Sequence, residues 1–249
     1  FLIIFLSLVV TIYSQASLFQ PQTKADLQTA VDLWISDETS AIATYGEINT
    51  WDVSLITDMS ELFKDANTFN GDVSSWNVSS VTNMHAMFQS AYNFNKDLSS
   101  WDVSSVTYMR NMLLNNANFN QDLSNWDVSN VTDMKNMFLG ATIFNQDLSN
   151  WDVSSVINMQ QMFDNATNFN GDISSWDVSN VTDMSNMFLN ANNFNVDISS
   201  WNVSSVTDMQ RMFAFATSFN EDISSWDVSN VTNMDIMFEG ASALSGENQ

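Results

Sequence analysis

Tryptophan recurs at a fixed interval of 25 residues through most of the chain. It stands at Trp51, Trp76, Trp101, Trp126, Trp151, Trp176, Trp201 and Trp226. A fixed period of about 20 to 50 residues is the signature of a repeat array, in which each unit packs only on its neighbours. The spacing therefore predicts one elongated repeat domain, although a length of 249 residues would by itself allow one domain or two.

The pattern inside one unit, clearest in residues 173–197, predicts two short elements. Ile173, Trp176 and Val178 have the spacing of a strand whose alternate side chains face a core. The next apolar residues have the i, i + 3, i + 4, i + 7 spacing of one helix face: Met184, Met187, Phe188 and Ala191. We predict that these side chains form a core, in preference to an exposed sugar-stacking tryptophan row or an adhesive methionine surface.

Strand followed by helix resembles the leucine-rich-repeat class. The fuller pattern W-D-V-S-x-V-T-x-M-x-x-M-F-x-x-A-x-x-F-N-x-D-[LI]-S resembles the BspA-like repeats, first catalogued as a mycoplasma domain of unknown function, over roughly residues 24–244. The resemblance implies a secreted or surface-anchored protein with an adhesion role and no enzymatic activity. The predicted fold class is α/β, a leucine-rich-repeat-like right-handed solenoid of about eight 25-residue strand–helix repeats.

The chain divides into three segments. Residues 1–16 are an apolar run that ends in small residues, typical of a signal peptide, so we expect a secreted or cell-surface protein. Residues 17–50 are predicted to be a linker and an N-terminal capping helix, starting at a capping-box-like Thr23-Lys24-Ala25-Asp26 and covering about 24–37. Residues 51–249 are the tandem repeats, which we expect to be truncated or uncapped at the C-terminal end.

Charge and composition exclude several function classes. The chain has 6 Lys and Arg against 29 Asp and Glu, a net charge of -23, which argues against binding nucleic acid and against direct membrane insertion once the signal is cleaved. The absence of cysteine excludes a disulfide scaffold and thiolate zinc. No catalytic constellation stands apart from the repeat, so we predict that the protein is not an enzyme and has no cofactor, calcium excepted.

An acidic row is the main candidate site, because the residue after each tryptophan is predicted to face outward. Its acidic members are Asp52, Asp102, Asp127, Asp152, Asp177 and Asp227, with Asn77 and Asn202 at the other two positions. Like charges on adjacent rungs repel by about 1 kcal/mol even in water. Either weakly bound calcium relieves this repulsion, or each carboxylate hydrogen-bonds to a neighbouring serine or the backbone.

Three further patterns recur in the units. The return loop after the last Phe carries Asn and Asp, as at Asn170 and Asp172, which are predicted to satisfy turn backbone and to bond from rung to rung. A threonine row, broken at Ile157, is predicted to cap the following helix, with ice binding as the alternative. Glycosylation sequons occur at Asn77, Asn130, Asn165, Asn180, Asn202 and Asn230.

Together these features predict a secreted or surface recognition and adhesion module that binds protein or glycan on a cell or matrix surface through its acidic strand face. The alternative is structural: a self-assembling coat or spacer whose ends stack, with ice binding as a minor variant. A stable monomer that captures a partner would favour the first hypothesis, and concentration-dependent assembly would favour the second.

Overall fold

The computed structural model describes residues 18–244, and two helices close its N-terminal end. Helix α1 spans Lys24–Ser36 and helix α2 spans Glu38–Tyr45, followed by a short 3-10 helix at Ile48–Thr50. The predicted capping box is present, since the Asp26 amide donates to the Thr23 hydroxyl at 3.2 Å and the Thr23 amide donates to the Asp26 carboxylate at 2.9 Å. The helix predicted at about 24–37 is thereby confirmed.

The described residues hold no helix that is long and apolar enough to cross a membrane. The predicted signal peptide, residues 1–16, lies outside the described part of the chain, as do residues 245–249 at the end of the predicted repeats.

The predicted α/β class of strand–helix repeats is wrong. Within residues 51–244 there is no α-helix, and the β-type pairing between successive units is a single parallel bridge. The bridges join equivalent residues of successive units: Asp58, Asn83, Tyr108, Asp133, Asn158, Asp183, Asp208 and Asn233. The units do stack in the predicted 25-residue register, but each is built of tight turns instead of a strand and a helix.

Tight turns produce the spacing that resembles a helix in residues 184–191. The amides of Met187, Leu189 and Ala191 donate to carbonyls three residues back in their own unit, at 3.0–3.2 Å. The intervening amides donate to the next unit instead, as Phe188 does to Met212 O at 2.9 Å. Asn186 takes the left-handed φ of 57°, which is incompatible with a continuing right-handed helix. Short helices gain little on their own, so bonds between stacked units prevail.

The predicted strand is likewise a pair of turns. The Trp176 amide donates to Ile173 O at 3.2 Å, and the Val181 amide donates to Val178 O at 2.9 Å. Each bond joins residues i and i + 3 and closes a four-residue β-turn, which explains the spacing of Ile173 and Trp176 without a strand. The side chains still point inward as predicted, since Trp176 is 3% exposed and Val178 is fully buried.

A stacked aromatic core runs along the array, which confirms the core prediction. Adjacent tryptophan rings lie nearly parallel, as for Trp151 and Trp176, whose centroids are 6.3 Å apart at 3°. The phenylalanines of the same units stack beside them, with 5.7 Å between the ring centroids of Phe163 and Phe188. Each repeat tryptophan also donates its indole N–H to a backbone carbonyl earlier in the chain, as Trp176 Nε1 does to Leu148 O at 2.9 Å.

An asparagine ladder ties the return loops together. The Asn170 amide donates to the Asn145 side-chain oxygen at 2.8 Å, and the Asn195 amide donates to the Asn170 side-chain oxygen at 2.8 Å. The same bond links Asn70 to Asn95, Asn95 to Asn120, Asn120 to Asn145, and Asn195 to Asn220. The predicted bonding from rung to rung is thereby confirmed.

Candidate recognition surface

The acidic row after the tryptophans consists of short local turns. Each side chain in the row accepts a hydrogen bond from the backbone amide two residues later, as Asp127 does from Ser129 at 3.1 Å. The serine hydroxyl adds a second bond in several units, for example 2.6 Å from Ser129 Oγ to Asp127. The same backbone bond occurs at Asp52, Asn77, Asp102, Asp152, Asp177, Asn202 and Asp227. Of the two alternatives, serine and backbone contacts are therefore the ones present.

These hydrogen bonds stabilise the charged form of the carboxylates. The Ser104 hydroxyl, and then the Ser104 amide, hold the pKa of Asp102 below its ordinary value, and Ser154 acts in the same way on the pKa of Asp152. Ser179 likewise lowers the pKa of Asp177, partly opposed by burial and then by the charge of Asp152 on the preceding rung. A lowered folded-state pKa contributes stability above the unfolded value of 3.8 that is lost as pH falls.

The turn does not need a charge. Asn77 and Asn202 occupy the same register and accept the same bond, from the Ser79 amide at 3.2 Å and the Ser204 amide at 3.2 Å. A carboxamide oxygen therefore also closes this turn, yet six of the eight positions carry Asp. The negative charge of the row is surplus to the local fold.

Basic side chains do not neutralise the row. In the described part of the chain, the ion pairs are Lys24 with Asp58 at 3.3 Å and Lys64 with Glu61 at 3.0 Å. Both pairs lie near the N-terminal end, and neither includes a residue of the row. Asp52 is half-buried and accepts a hydrogen bond from Gln20 Nε2 at 2.7 Å. The other five carboxylates of the row are exposed.

No described group of three or more His, Asp or Glu side chains could hold a metal ion. Calcium prefers six to eight oxygen ligands, whereas the row presents its carboxylates one per unit. The calcium alternative stays a prediction, and its ligands would have to come from more than one rung.

Two further acidic rows use the same turn chemistry. In the return loop, Asp172 accepts from the Ser174 amide at 2.9 Å, and equivalent bonds occur at Asp72, Asp97, Asp122, Asp147, Asp197 and Asp222. This agrees with the turn-satisfying role predicted for these residues. A third row at the bridge positions was missed by sequence reasoning, although the pattern T-[DN]-M marks it; there Asp183 accepts from the Ser185 amide at 2.9 Å.

The threonine row lies on the surface but caps no helix. Thr207 Oγ1 donates to Thr182 O at 3.1 Å, and the Thr207 amide donates to the same carbonyl at 2.9 Å. The capping prediction is wrong because no helix follows these residues in the described units. Ice binding by this row stays a prediction.

The predicted glycosylation sites are all exposed. Their side chains also make structural contacts: the amide nitrogens of Asn130, Asn180 and Asn230 each donate at 2.8 Å to a serine carbonyl of the preceding unit. Asn165 Nδ2 donates to Asp164 at 2.7 Å, while Asn77 and Asn202 accept through their oxygens as described above. A glycan at Asn77 or Asn202 would stand within the acidic row.

Comparison with known families gives one overlapping set of matches. The family model described as "Mycoplasma protein of unknown function, DUF285" matches residues 35–151, 96–192 and 143–249. A comparison with curated proteins finds no match. The three matches overlap and together cover the repeats and the end of α1, as expected when one pattern recurs along a chain.

Proposed function

We propose that this chain, which belongs to the family described as "Mycoplasma protein of unknown function, DUF285", is a secreted or cell-surface recognition module of BspA-like type. The acidic row of Asp52, Asp102, Asp127, Asp152, Asp177 and Asp227 would contact a basic segment of a partner protein on a cell or matrix surface. The single observation that carries the proposal is that the row carries charge its turns do not need to form, since Asn77 and Asn202 accept the same bond.

The mechanism is multivalent. The row repeats one carboxylate per unit at four consecutive rungs, Asp102 to Asp177, so a partner with regularly spaced cations meets several at once. Each exposed ion pair contributes little alone, roughly 0–1 kcal/mol. Several pairs made together on a pre-ordered surface add up, because the serine contacts already restrict the carboxylates before binding. Binding of this kind weakens with salt, since exposed charges are screened beyond about 8 Å at physiological ionic strength.

The decisive variant is Asp127→Asn combined with Asp152→Asn, which removes two charges and leaves an oxygen to close each turn. A fluorescent oligolysine peptide serves as the probe, followed by anisotropy at low and at physiological salt. We expect about tenfold weaker binding, the equivalent of two exposed charge pairs. Melting temperature should fall only slightly, because Asn closes this turn at Asn77 and Asn202 and only the charge-dependent stability of Asp152 is lost.

A charge-matched control separates the row from the overall charge. Asp122→Asn with Asp147→Asn removes the same two charges from the return loop, where both side chains also accept a serine amide at 2.8 Å. The control should weaken oligolysine binding by less than about twofold. Equal losses in the two double variants would contradict the proposal, because binding would then follow net charge alone.

The prediction of calcium along the row is tested by calorimetric titration, with a melting curve in EDTA beside it. We expect no saturable heat, because each rung brings a single carboxylate of the row and no described cluster of three exists. Saturable binding with a raised melting temperature, lost in the Asp127→Asn, Asp152→Asn variant, would instead make the contact calcium-dependent.

The alternative function is structural: a self-assembling coat or spacer, which the regular 25-residue stacking of the described units would favour. Light scattering over a range of protein concentrations tests it: growth of the scattering mass with concentration supports assembly, and a constant monomer mass contradicts it.

A further inference from the structure

A cleft lies between the N-terminal helices and the first repeat, away from the acidic row. It has a volume of about 320 Å³ and is lined by residues from the end of α1, the start of α2 and the first return loop. The lining residues that a bound ligand would contact are Trp34, Glu38, Thr68, Phe69, Asn70 and Gly71. This volume suits one small polar ligand or one unit of a larger one.

The cleft contains the open first rung of the asparagine ladder. Each later rung donates its backbone amide to the side-chain oxygen of the preceding asparagine, as Asn95 does to Asn70 at 3.1 Å. Asn70 is the first rung, and within residues 18–244 its own amide has no such acceptor. The ladder therefore leaves one N–H directed to where a preceding carboxamide oxygen would lie.

Trp34 brings a second unused donor to the same place. The indole N–H of Trp51 donates to Gly46 O at 3.1 Å and that of Trp76 to Ile48 O at 2.8 Å, and each later repeat tryptophan has a comparable carbonyl partner. The Trp34 side chain is 7% exposed and lines the cleft, and no described residue accepts its indole N–H. This N–H is not one of the buried unpaired atoms, so it opens to solvent in the cleft and is free to donate to a ligand.

Gly71 keeps the cleft open. A Cβ at this position would lie 3.4 Å from Trp34 Nε1 and 2.7 Å from the Phe69 ring. Two later units carry glutamine in the same register, and Gln121 Nε2 and Gln146 Nε2 reach back to the preceding asparagine oxygen at 2.9 and 2.8 Å. At the first unit no side chain takes that role, so the ladder end is accessible.

We propose that this cleft binds the acetamido group of an N-acetylated sugar. The acetamido oxygen takes the place of the missing carboxamide and accepts from the Asn70 amide and from Trp34 Nε1. The acetamido N–H donates to the Glu38 carboxylate, and the methyl group contacts the Phe69 ring. A free carboxamide would leave much of the cleft empty, whereas a pyranose ring fills it and meets the hydroxyl of Thr68.

The test compares two trisaccharides that differ in the acetamido group. Calorimetry and tryptophan fluorescence follow the titration of the chain with N,N′,N″-triacetylchitotriose and, separately, with cellotriose, which has the same linkage and no acetamido group. We expect saturable binding of the first only. Binding of both sugars with equal affinity, or of neither, overturns the proposal, and so does binding of an acetylated asparagine peptide in place of the sugar.

Two matched pairs of variants locate the site. Trp34→Phe removes the indole N–H and keeps an aromatic ring, so affinity should fall about tenfold. Trp51→Phe is its control, since Trp51 packs edge-on against Trp34 at 5.8 Å but its N–H already has Gly46 O as a partner. Gly71→Gln should abolish binding by filling the cleft, while Val196→Gln places the same side chain in the same register elsewhere and should not.

Equal losses in Trp34→Phe and Trp51→Phe would overturn the proposal, because the effect would then come from packing of the N-terminal end. The Asp127→Asn, Asp152→Asn variant should bind the sugar normally, so this site and the acidic row succeed or fail independently.

Discussion

The unit at residues 176–200 and the unit at residues 101–125 follow the same path but differ inside. Three of the differences between them decide the packing: Tyr108 for Asp183, Leu113 for Phe188 and Asn116 for Ala191. In the regular unit the buried side chains are apolar except Ser185, whose hydroxyl donates to Asp183 at 2.7 Å. In the irregular unit Asn116 is fully buried, and neither its oxygen nor its nitrogen has a hydrogen-bond partner.

The unpaired polar atoms concentrate at this irregular unit. In the described part of the chain, the other buried side-chain atoms without a partner are Arg110 Nε and Asn136 Oδ1. Arg110 belongs to the irregular unit, and Asn136 contacts it through a 2.9 Å bond to Asn111. The phenylalanine stack, continuous from Phe138 to Phe238, is also interrupted at Leu113.

The difference shows how the array tolerates a poor unit. Leu113 is smaller than the phenylalanine of the pattern, and Asn116 is larger than its alanine, so the two replacements offset each other in volume. The Asn116 amide still donates to Leu113 O at 3.0 Å, the same bond that Ala191 makes to Phe188 in the regular unit. Because neighbouring units supply the backbone pairing, the path is kept while the side-chain packing is degraded.

The largest change in stability is expected when the buried asparagine of the irregular unit is introduced at the equivalent position of the regular unit. Ala191→Asn places a carboxamide in a fully buried position beside the large Phe188 ring, with no space and no partner. We expect a loss of about 3–5 kcal/mol in the free energy of unfolding, measured with urea. The exposed Asn193→Ala in the same unit should change it by less than about 0.5 kcal/mol. A loss below about 1 kcal/mol at Ala191 would show that the core there is loosely packed.

Asp164 is a second departure from the repeat pattern, and its burial should make the free energy of unfolding depend on pH by up to about 3 kcal/mol. It is 4% exposed in the register that Leu139 and Leu189 fill in adjacent units, and burial raises its pKa to about 6. Since the unfolded pKa is 3.8, the folded state is favoured at low pH and loses that stability as pH rises through 6. Asp164→Asn should therefore raise the melting temperature above about pH 7 and have little effect near pH 4.

The control for Asp164 is Asp172→Asn, because Ser174 holds the pKa of Asp172 below its ordinary value. That variant should give no gain in melting temperature at neutral pH. A gain for Asp164→Asn that is the same at both ends of the pH range would mean that packing, not ionisation, is responsible.

A double-mutant cycle tests the volume exchange between Leu113 and Asn116. Leu113→Phe alone should destabilise by about 1–3 kcal/mol because it crowds Asn116. Combined with Asn116→Ala it should restore the regular packing and stabilise the protein by about 1–2 kcal/mol over the natural sequence. Urea unfolding of all four proteins gives the coupling energy, and additive single effects would refute the exchange.

The smallest effect is expected at Tyr108. Tyrosine cannot close the turn that Asp183 closes through the Ser185 amide, whereas asparagine does so in the same register at Asn158, which accepts from the Gln160 amide at 2.9 Å. Tyr108→Asn should therefore stabilise by about 0.5–1 kcal/mol, seen as a small rise in melting temperature. Asn158→Tyr, the reverse change, should lower it by a similar amount, and a rise there would contradict the argument.

The 25-residue register, the inward-facing residues and the first helix were predicted correctly from the sequence. The local structure of the unit was predicted wrongly, because β-turns closed by i to i + 3 bonds and one face of a helix give the same spacing, as at Met184, Met187 and Phe188. The missed signal was Asn at positions such as Asn186 and Asn190, whose left-handed φ values of 57° and 58° interrupt a helix. For the candidate surface, five of the six carboxylates of the acidic row are exposed, but they lie on turns and not on the predicted strand face. The bridge-position row typified by Asp183 was overlooked.

What the sequence determined by itself is the register, because a 25-residue period of buried Trp, Met and Phe can be satisfied only when equivalent residues stack. Tertiary structure alone decided how the backbone amides are shared. At Phe188 the amide bonds to the next unit and at Leu189 to its own, an alternation that no single unit can form in isolation. Tertiary structure also decided that the ladder begins at Asn70 beside an unpaired Trp34, because that juxtaposition joins the helical segment to the first repeat. The reason for this division is that hydrogen bonds between units form only after the units stack, whereas the periodicity of the side chains is a property of the sequence of each unit.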